Sequence, residues 1–237
     1  MTPSLTAGEL PVGAEKTQRV REMFDTIAPR YATVNRVMTF GLDTRWRVRT
    51  VRSLGLPVGS VVVDVATGTG DLVAEAARQG LDAVGFDLSH GMLAASRLAP
   101  RGAQCDAASL PVRSGIADGV VCGYGLRNFT DLRQCLAEMA RILRPGGRLA
   151  LLEVCEPEGR LAHAGFSLWF NRVVPIIGGA MSDADAYRYL PKSVAYLPAP
   201  DELRRMLCEL GFSGVNRHLL SGGLSQLYTA TRTREAR

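Results

Sequence analysis

Three carboxylates follow short apolar runs, where α/β proteins hold nucleosides and amino acids. Asp64 closes Ser60-Val-Val-Val-Asp64 and opens Asp64-Val-Ala66-Thr-Gly68-Thr69-Gly70-Asp71. Glycines in such a loop allow a tight turn and let a ligand approach the backbone. The helix expected next offers free N–H groups to an anion, here a carboxylate. Asp87 ends a second run in Gly85-Phe-Asp87-Leu88. An acid there can hydrogen-bond both hydroxyls of an unphosphorylated ribose. Asp106 follows in Cys105-Asp106-Ala107, and further on comes Gly123-Tyr124-Gly125-Leu126-Arg127-Asn128-Phe129-Thr130-Asp131. Singly, each acid reads as a helix cap or a solvated strand end. Three in order, each at a strand's carboxyl end, point to a nucleotide-like cofactor. Dinucleotides fit poorly, because Val73 occupies the third glycine position of their fingerprint.

The elements that must hold these residues are legible as periodicity. Strands are expected at 60–64, 81–87, near 103–105, at 117–123 and at 148–154, with helices at 71–79, 91–99 and 131–143. Strands alternating with helices on short connections predict an α/β, Rossmann-like, doubly wound and mainly parallel sheet. Ligands bind such sheets at the strands' carboxyl ends. Residues 1–18 are expected to be a mobile tail, 19–55 basic N-terminal helices, 60–155 the cofactor-binding core and 161–195 an apolar helical cap over the substrate. Residues 200–231 are expected to form a last helix and an antiparallel hairpin around Ser221-Gly-Gly223. Residues 19–237 form one domain on this reading.

Asp64-Val-Ala66-Thr-Gly68-Thr69-Gly70 with a later strand-end acid resembles the motif of class I S-adenosylmethionine-dependent methyltransferases. That resemblance implies a cofactor site of Asp64, Ala66, Gly68, Thr69, Gly70, Asp87, Leu88, Asp106, Ala107 and Gly123. Asp106 and the Ala107 N–H would meet the adenine. Gly-Leu-Arg127-Asn128 with Asp131 resembles a signature of the ubiquinone and menaquinone biosynthesis C-methyltransferases, which methylate the ring of a polyprenyl quinol. Met23-Phe-Asp-Thr-Ile-Ala-Pro-Arg-Tyr31, Asn35, Met38-Thr-Phe-Gly41 with Trp46, and Asp183-Ala-Asp-Ala-Tyr-Arg-Tyr-Leu190 with Ser193 resemble further blocks of that family. For such a ring acceptor, Arg127 is expected to stabilise a ring phenolate and Asn128 to orient a ring oxygen or water, and the resemblance implies Tyr31 as a further ring-side residue. Leu224-Ser-Gln-Leu-Tyr228, Ala32-Thr33 after Tyr31, and Gly123 depart from the family pattern. They leave open a natural-product, aromatic or polyketide-like acceptor.

Composition narrows partners and place. Lys plus Arg number 28 against 23 Asp plus Glu, a net of +5, which is mild for a nucleic-acid-coating protein. No nucleic-acid partner is expected. The five cysteines form no C-x-x-C pair and the three histidines are scattered, so no metal site is expected. The 161–181 stretch is broken by Asn171, Arg172 and Pro175 and does not read as a membrane span. A cytoplasmic location follows, with peripheral membrane contact and a homodimer left open. Residues 1–60 carry nine cations and five anions. Arg45, Arg47, Arg49 and Arg52 are expected either on a solvated helix face or against an anionic lipid surface.

Overall fold

The computed structural model describes residues 12–96, 101–157, 159, 165, 167–174, 176, 183, 189 and 192–233. Among these, seven strands form one sheet in the order β3-β2-β1-β4-β5-β7-β6. They are β1 Val61–Val65, β2 Asp82–Asp87, β3 Gly102–Gln104, β4 Ala117–Gly123, β5 Leu143–Val154, β6 Phe212–Leu220 and β7 Ser225–Arg232. Pairings from β3 through β5 are parallel, and β7 lies antiparallel to both β5 and β6. The doubly wound parallel sheet and its antiparallel hairpin are therefore as expected. β5 begins earlier than the sequence suggests, because Leu143 pairs with Ala117 before a register shift that precedes Arg148.

Helices α1 Gly13–Ile27, α2 Tyr31–Met38 and α3 Leu42–Arg52 precede β1. α4 Asp71–Arg78, α5 His90–Ala95 and α6 Leu132–Ile142 connect the parallel strands, and α7 Pro200–Glu209 precedes β6. Local chemistry explains their starts. The Ser89 hydroxyl accepts from the Met92 N–H at 3.0 Å, and Asp131 Oδ1 from the Gln134 N–H at 2.9 Å. Each such cap stabilises by about 1 kcal/mol. Val62, Val63 and Val65 are buried within the sheet, each stabilising it by roughly 1.5–3 kcal/mol through lost water contact. The Cys135, Leu136 and Met139 stripe of α6 is buried against the sheet.

Two boundaries need correction. α1 starts at Gly13, so residues 13–18 are helix rather than tail; residues 1–11 lie outside the described residues. The helix expected over 91–99 ends at Ala95, and 97–100 lie outside. Most of the expected 161–195 cap also lies outside. Its described parts include a π-helical turn at Trp169–Val173 and a 3-10 turn at Val194–Tyr196. Among the described residues no helix is long and apolar enough to cross a membrane.

Candidate active site

The loop after β1 turns through left-handed backbone at Ala66, Gly68 and Gly70. It closes on the neighbouring strand, where a Cβ on Gly85 would lie 2.5 Å from Thr67 Oγ1. Asp64 is 1% exposed. Its Oδ2 accepts from the Thr67 hydroxyl at 2.6 Å. Its Oδ1 is buried with no hydrogen-bond partner among the described residues. Burial pushes this carboxyl up to about 8. Asp87 is tied down differently, accepting from the Gly68 N–H at 2.7 Å and the Ser89 N–H at 2.8 Å. Asp106 Oδ1 accepts from the Ala108 N–H at 2.9 Å and so shapes the turn after β3.

These strand ends frame a cavity of about 260 Å³. Ala66, Gly68, Asp87, Leu88, Asp106, Ala107 and Gly123 line it, as the sequence suggests, and Asn128 joins them. Asp64 and Thr69 line a smaller adjoining cavity instead, of about 40 Å³, together with Arg47 and Asp71. Gly70 is the residue that precedes α4 and lines neither of these cavities. The roof of the larger cavity is α1, through Thr17, Val20, Arg21 and Phe24. Both ends of α1 are fastened. Lys16 Nζ donates to the Phe129 carbonyl at 2.7 Å, and the Thr17 and Thr130 hydroxyls are 2.7 Å apart. Asp25 Oδ1 accepts from the Ser89 hydroxyl and the Gly91 N–H.

A second cavity of about 410 Å³ lies beyond, with an apolar and aromatic wall of Met38, Phe40, Trp46, Val154, Trp169, Val174 and Leu224. Tyr31 and Tyr124 line both large cavities. Burial raises the Tyr31 hydroxyl above its ordinary value and keeps it protonated. Arg127 lines the second cavity and is 6% exposed. Its guanidinium is ion-paired to Glu153 of β5, which is 0% exposed, and its Nε is buried without a partner among the described residues. Asn128 faces the other way. It lines the first cavity and not the second, and its amide donates to the Tyr124 carbonyl at 3.3 Å.

Several of these residues carry only a weak signal in the sequence. Glu153 carried a signal, as an acid inside the apolar run Ala150-Leu-Leu-Glu153-Val154. Tyr124 stands in the Gly123-to-Asp131 stretch and Trp46 shortly after Met38-Thr-Phe-Gly41, where an aromatic residue by itself signals no chemistry. Arg47 needs correction: it does not share the solvated face of Arg45, Arg49 and Arg52, which are exposed. It turns inward to Asp43.

The site fits S-adenosylmethionine. Asp64 Oδ1 would take the ammonium, Asp87 retains lone pairs for the ribose hydroxyls, and Asp106 with Ala107 borders the adenine space. When bound, that cofactor supplies an electrophilic methyl group.

Comparison with known proteins agrees. The chain is 40% identical over 229 residues to the ubiquinone/menaquinone biosynthesis C-methyltransferase UbiE of Geobacter sulfurreducens, covering 91% of this chain and 89% of that protein. It is 42% identical over 224 residues to the demethylmenaquinone methyltransferase of Deinococcus radiodurans, covering 90% and 93%. Among solved structures, a Thermotoga maritima S-adenosylmethionine-dependent methyltransferase superposes with a TM-score of 0.62 at 19% identity, covering 90% of this chain and 100% of that one. That likeness shows the fold. Residues 13–232 match the model of the ubiE/COQ5 methyltransferase family. The chain belongs to that family and is an S-adenosylmethionine-dependent methyltransferase.

Proposed function

We propose that this enzyme methylates a ring carbon of a demethylmenaquinol or a related polyprenyl quinol. The observation that carries the reading is the apolar, aromatic second cavity with the buried Arg127 guanidinium in its wall. An apolar wall suits a lipophilic ring, and a buried cation suits a ring oxygen that becomes anionic. A ring carbon is a weak nucleophile until a neighbouring hydroxyl ionises. Arg127 favours that ionisation, and the proton passes to water. The protonated Tyr31 hydroxyl is available as a second donor. Tyr31 and Tyr124 border both cavities, so they flank the place where ring carbon and methyl group must meet.

The same reading puts the loading side at a membrane surface. Phe40 lines the second cavity yet is 73% exposed, and its ring lies 4.8 Å from that of Trp169. Exposed Arg45, Arg49 and Arg52 suit anionic lipid headgroups. Mass spectrometry of cellular quinones after deletion of the gene tests the assignment. Accumulation of a quinone lacking one ring methyl is expected, and an unchanged quinone profile would overturn it.

A further inference from the structure

The small cavity at the end of β1 is lined by Asp64, Arg47 and Asp71, and the first two have unequal partners. On one wall is Asp64, with Oδ1 buried and unpartnered among the described residues. On the other is Arg47, which enters from α3. The Arg47 side chain is 13% exposed, so water does not solvate it fully. Its Nη1 donates to Asp43 Oδ2 at 2.7 Å. Its Nη2 stands 3.4 Å from Asp71 Oδ2, longer than a good charge-assisted hydrogen bond. Asp43 is itself buried and held by the Thr39 hydroxyl at 3.0 Å. One end of the guanidinium fork is thus clamped from its own helix. A guanidinium has five N–H donors in fixed directions, so the clamp leaves donors for the cavity.

A simple clasp between α3 and α4 would account for the Arg47 contacts to Asp43 and Asp71. It would not account for a cation lining the same small cavity as an unsatisfied carboxyl oxygen. An α-amino-acid terminus explains both, since it brings an ammonium and a carboxylate a few ångströms apart. Asp64, ionised by the ammonium that it binds, repels the carboxylate. An arginine fork matches a carboxylate with two parallel N–H donors. At about 40 Å³ the cavity admits a small terminal group and not a ring system. We propose that Arg47 anchors the carboxylate of the cofactor's methionine moiety, so that Asp64 and Arg47 together recognise its zwitterion.

The inference rests on the cofactor assignment and can fail without it. The test is calorimetric titration with S-adenosylhomocysteine and with its decarboxylated analogue, which keeps the ammonium. The wild-type protein and the Arg47→Met and Arg47→Lys variants complete the cycle. Wild type is expected to bind S-adenosylhomocysteine roughly 10–100-fold more tightly than the analogue, the worth of charge-assisted hydrogen bonds to a carboxylate. Arg47→Met is expected to erase that preference while keeping the analogue's affinity within about threefold of wild type. Arg47→Lys should fall between. Equal wild-type affinity for the two ligands would overturn the proposal with no variant needed. So would an Arg47→Met or Arg47→Lys variant that weakens both ligands by the same factor. Wild type that binds neither ligand would overturn the cofactor assignment as well, a separate outcome.

Discussion

The two large cavities meet at Tyr31 and Tyr124 but are built by opposite means. The cofactor side is floored by the loops after β1, β2 and β3 and roofed by α1. Its loops hold left-handed residues at Ala66 and Gly68, and its acids Asp87 and Asp106 are oriented by N–H groups of nearby turns. The acceptor side is made of side chains from separate elements. Met38 comes from α2, Trp46 from α3, Arg127 from the turn after β4, Ser225 from β7 and Trp169 from the π-helical turn. The floor of the first cavity can change little without refolding strand ends. The second can be reshaped one side chain at a time, and acceptor choice is expected to reside there.

The hardest blow to that division falls on its most buried charge pair. Arg127→Ala leaves Glu153 fully buried and uncompensated. Breaking such a pair from one side costs about 3–5 kcal/mol. Urea denaturation should show that loss, and methyl transfer should fall to background. Replacing both residues together, as Arg127→Met with Glu153→Leu, should restore most of the stability but none of the activity. The double variant should still bind S-adenosylhomocysteine, because Arg127 lines the other cavity and Glu153 lines neither. A double variant that turns over quinol at the wild-type rate would remove Arg127 from the chemistry.

Asp64 probes the opposite side. Asp64→Asn is expected to weaken S-adenosylhomocysteine roughly tenfold, as loss of a charged hydrogen-bond partner does, and to leave the acceptor KM unchanged. The pH dependence is a sharper readout. The Asp64 carboxyl is raised from 3.8 to about 8 by burial, so the unliganded fold holds a proton that the unfolded chain has lost. Unliganded stability from this group therefore falls as pH rises from about 4 towards 8. A bound ammonium favours the ionised form, so binding expels that proton below pH 8. Affinity should rise between about pH 6 and pH 8, and Asp64→Asn should flatten the rise. Titrations in buffers of different ionisation enthalpy would detect the proton, and a flat wild-type profile would refute the assignment.

The contrast also explains what the sequence revealed. Asp64, Asp87 and Asp106 were legible because each sits at the end of its own strand and bonds a residue two or three positions on. Lys16 was not, because its partners Phe129 and Tyr196 lie far along the chain. Nor was the Arg127–Glu153 pair, which spans two strand ends. Arg47 was legible in principle. Positions 45, 49 and 52 share one helical face by spacing of four and three, and position 47 falls on another. Reading the four arginines as one basic patch ignored that period. Asn128 shows the limit of motif reading, since neighbours in one signature face different cavities.

The mildest and most discriminating change is Tyr124→Phe. The Tyr124 hydroxyl lies 3.1 Å from Ser225 Oγ, and burial holds that hydroxyl protonated well above its ordinary range. The bond ties the turn after β4 to β7 on the acceptor side. Its loss leaves the buried Ser225 hydroxyl short of a partner and should cost about 1 kcal/mol, or roughly fivefold in acceptor KM. The ring itself remains, so the aromatic border with the cofactor side is unchanged. S-adenosylhomocysteine affinity should then stay within about twofold of wild type. A comparable loss on the cofactor side would mean that the Tyr124–Ser225 link positions both ligands. The two cavities would then be one site with a shared support, and acceptor choice could not be altered without a matching cost in cofactor binding.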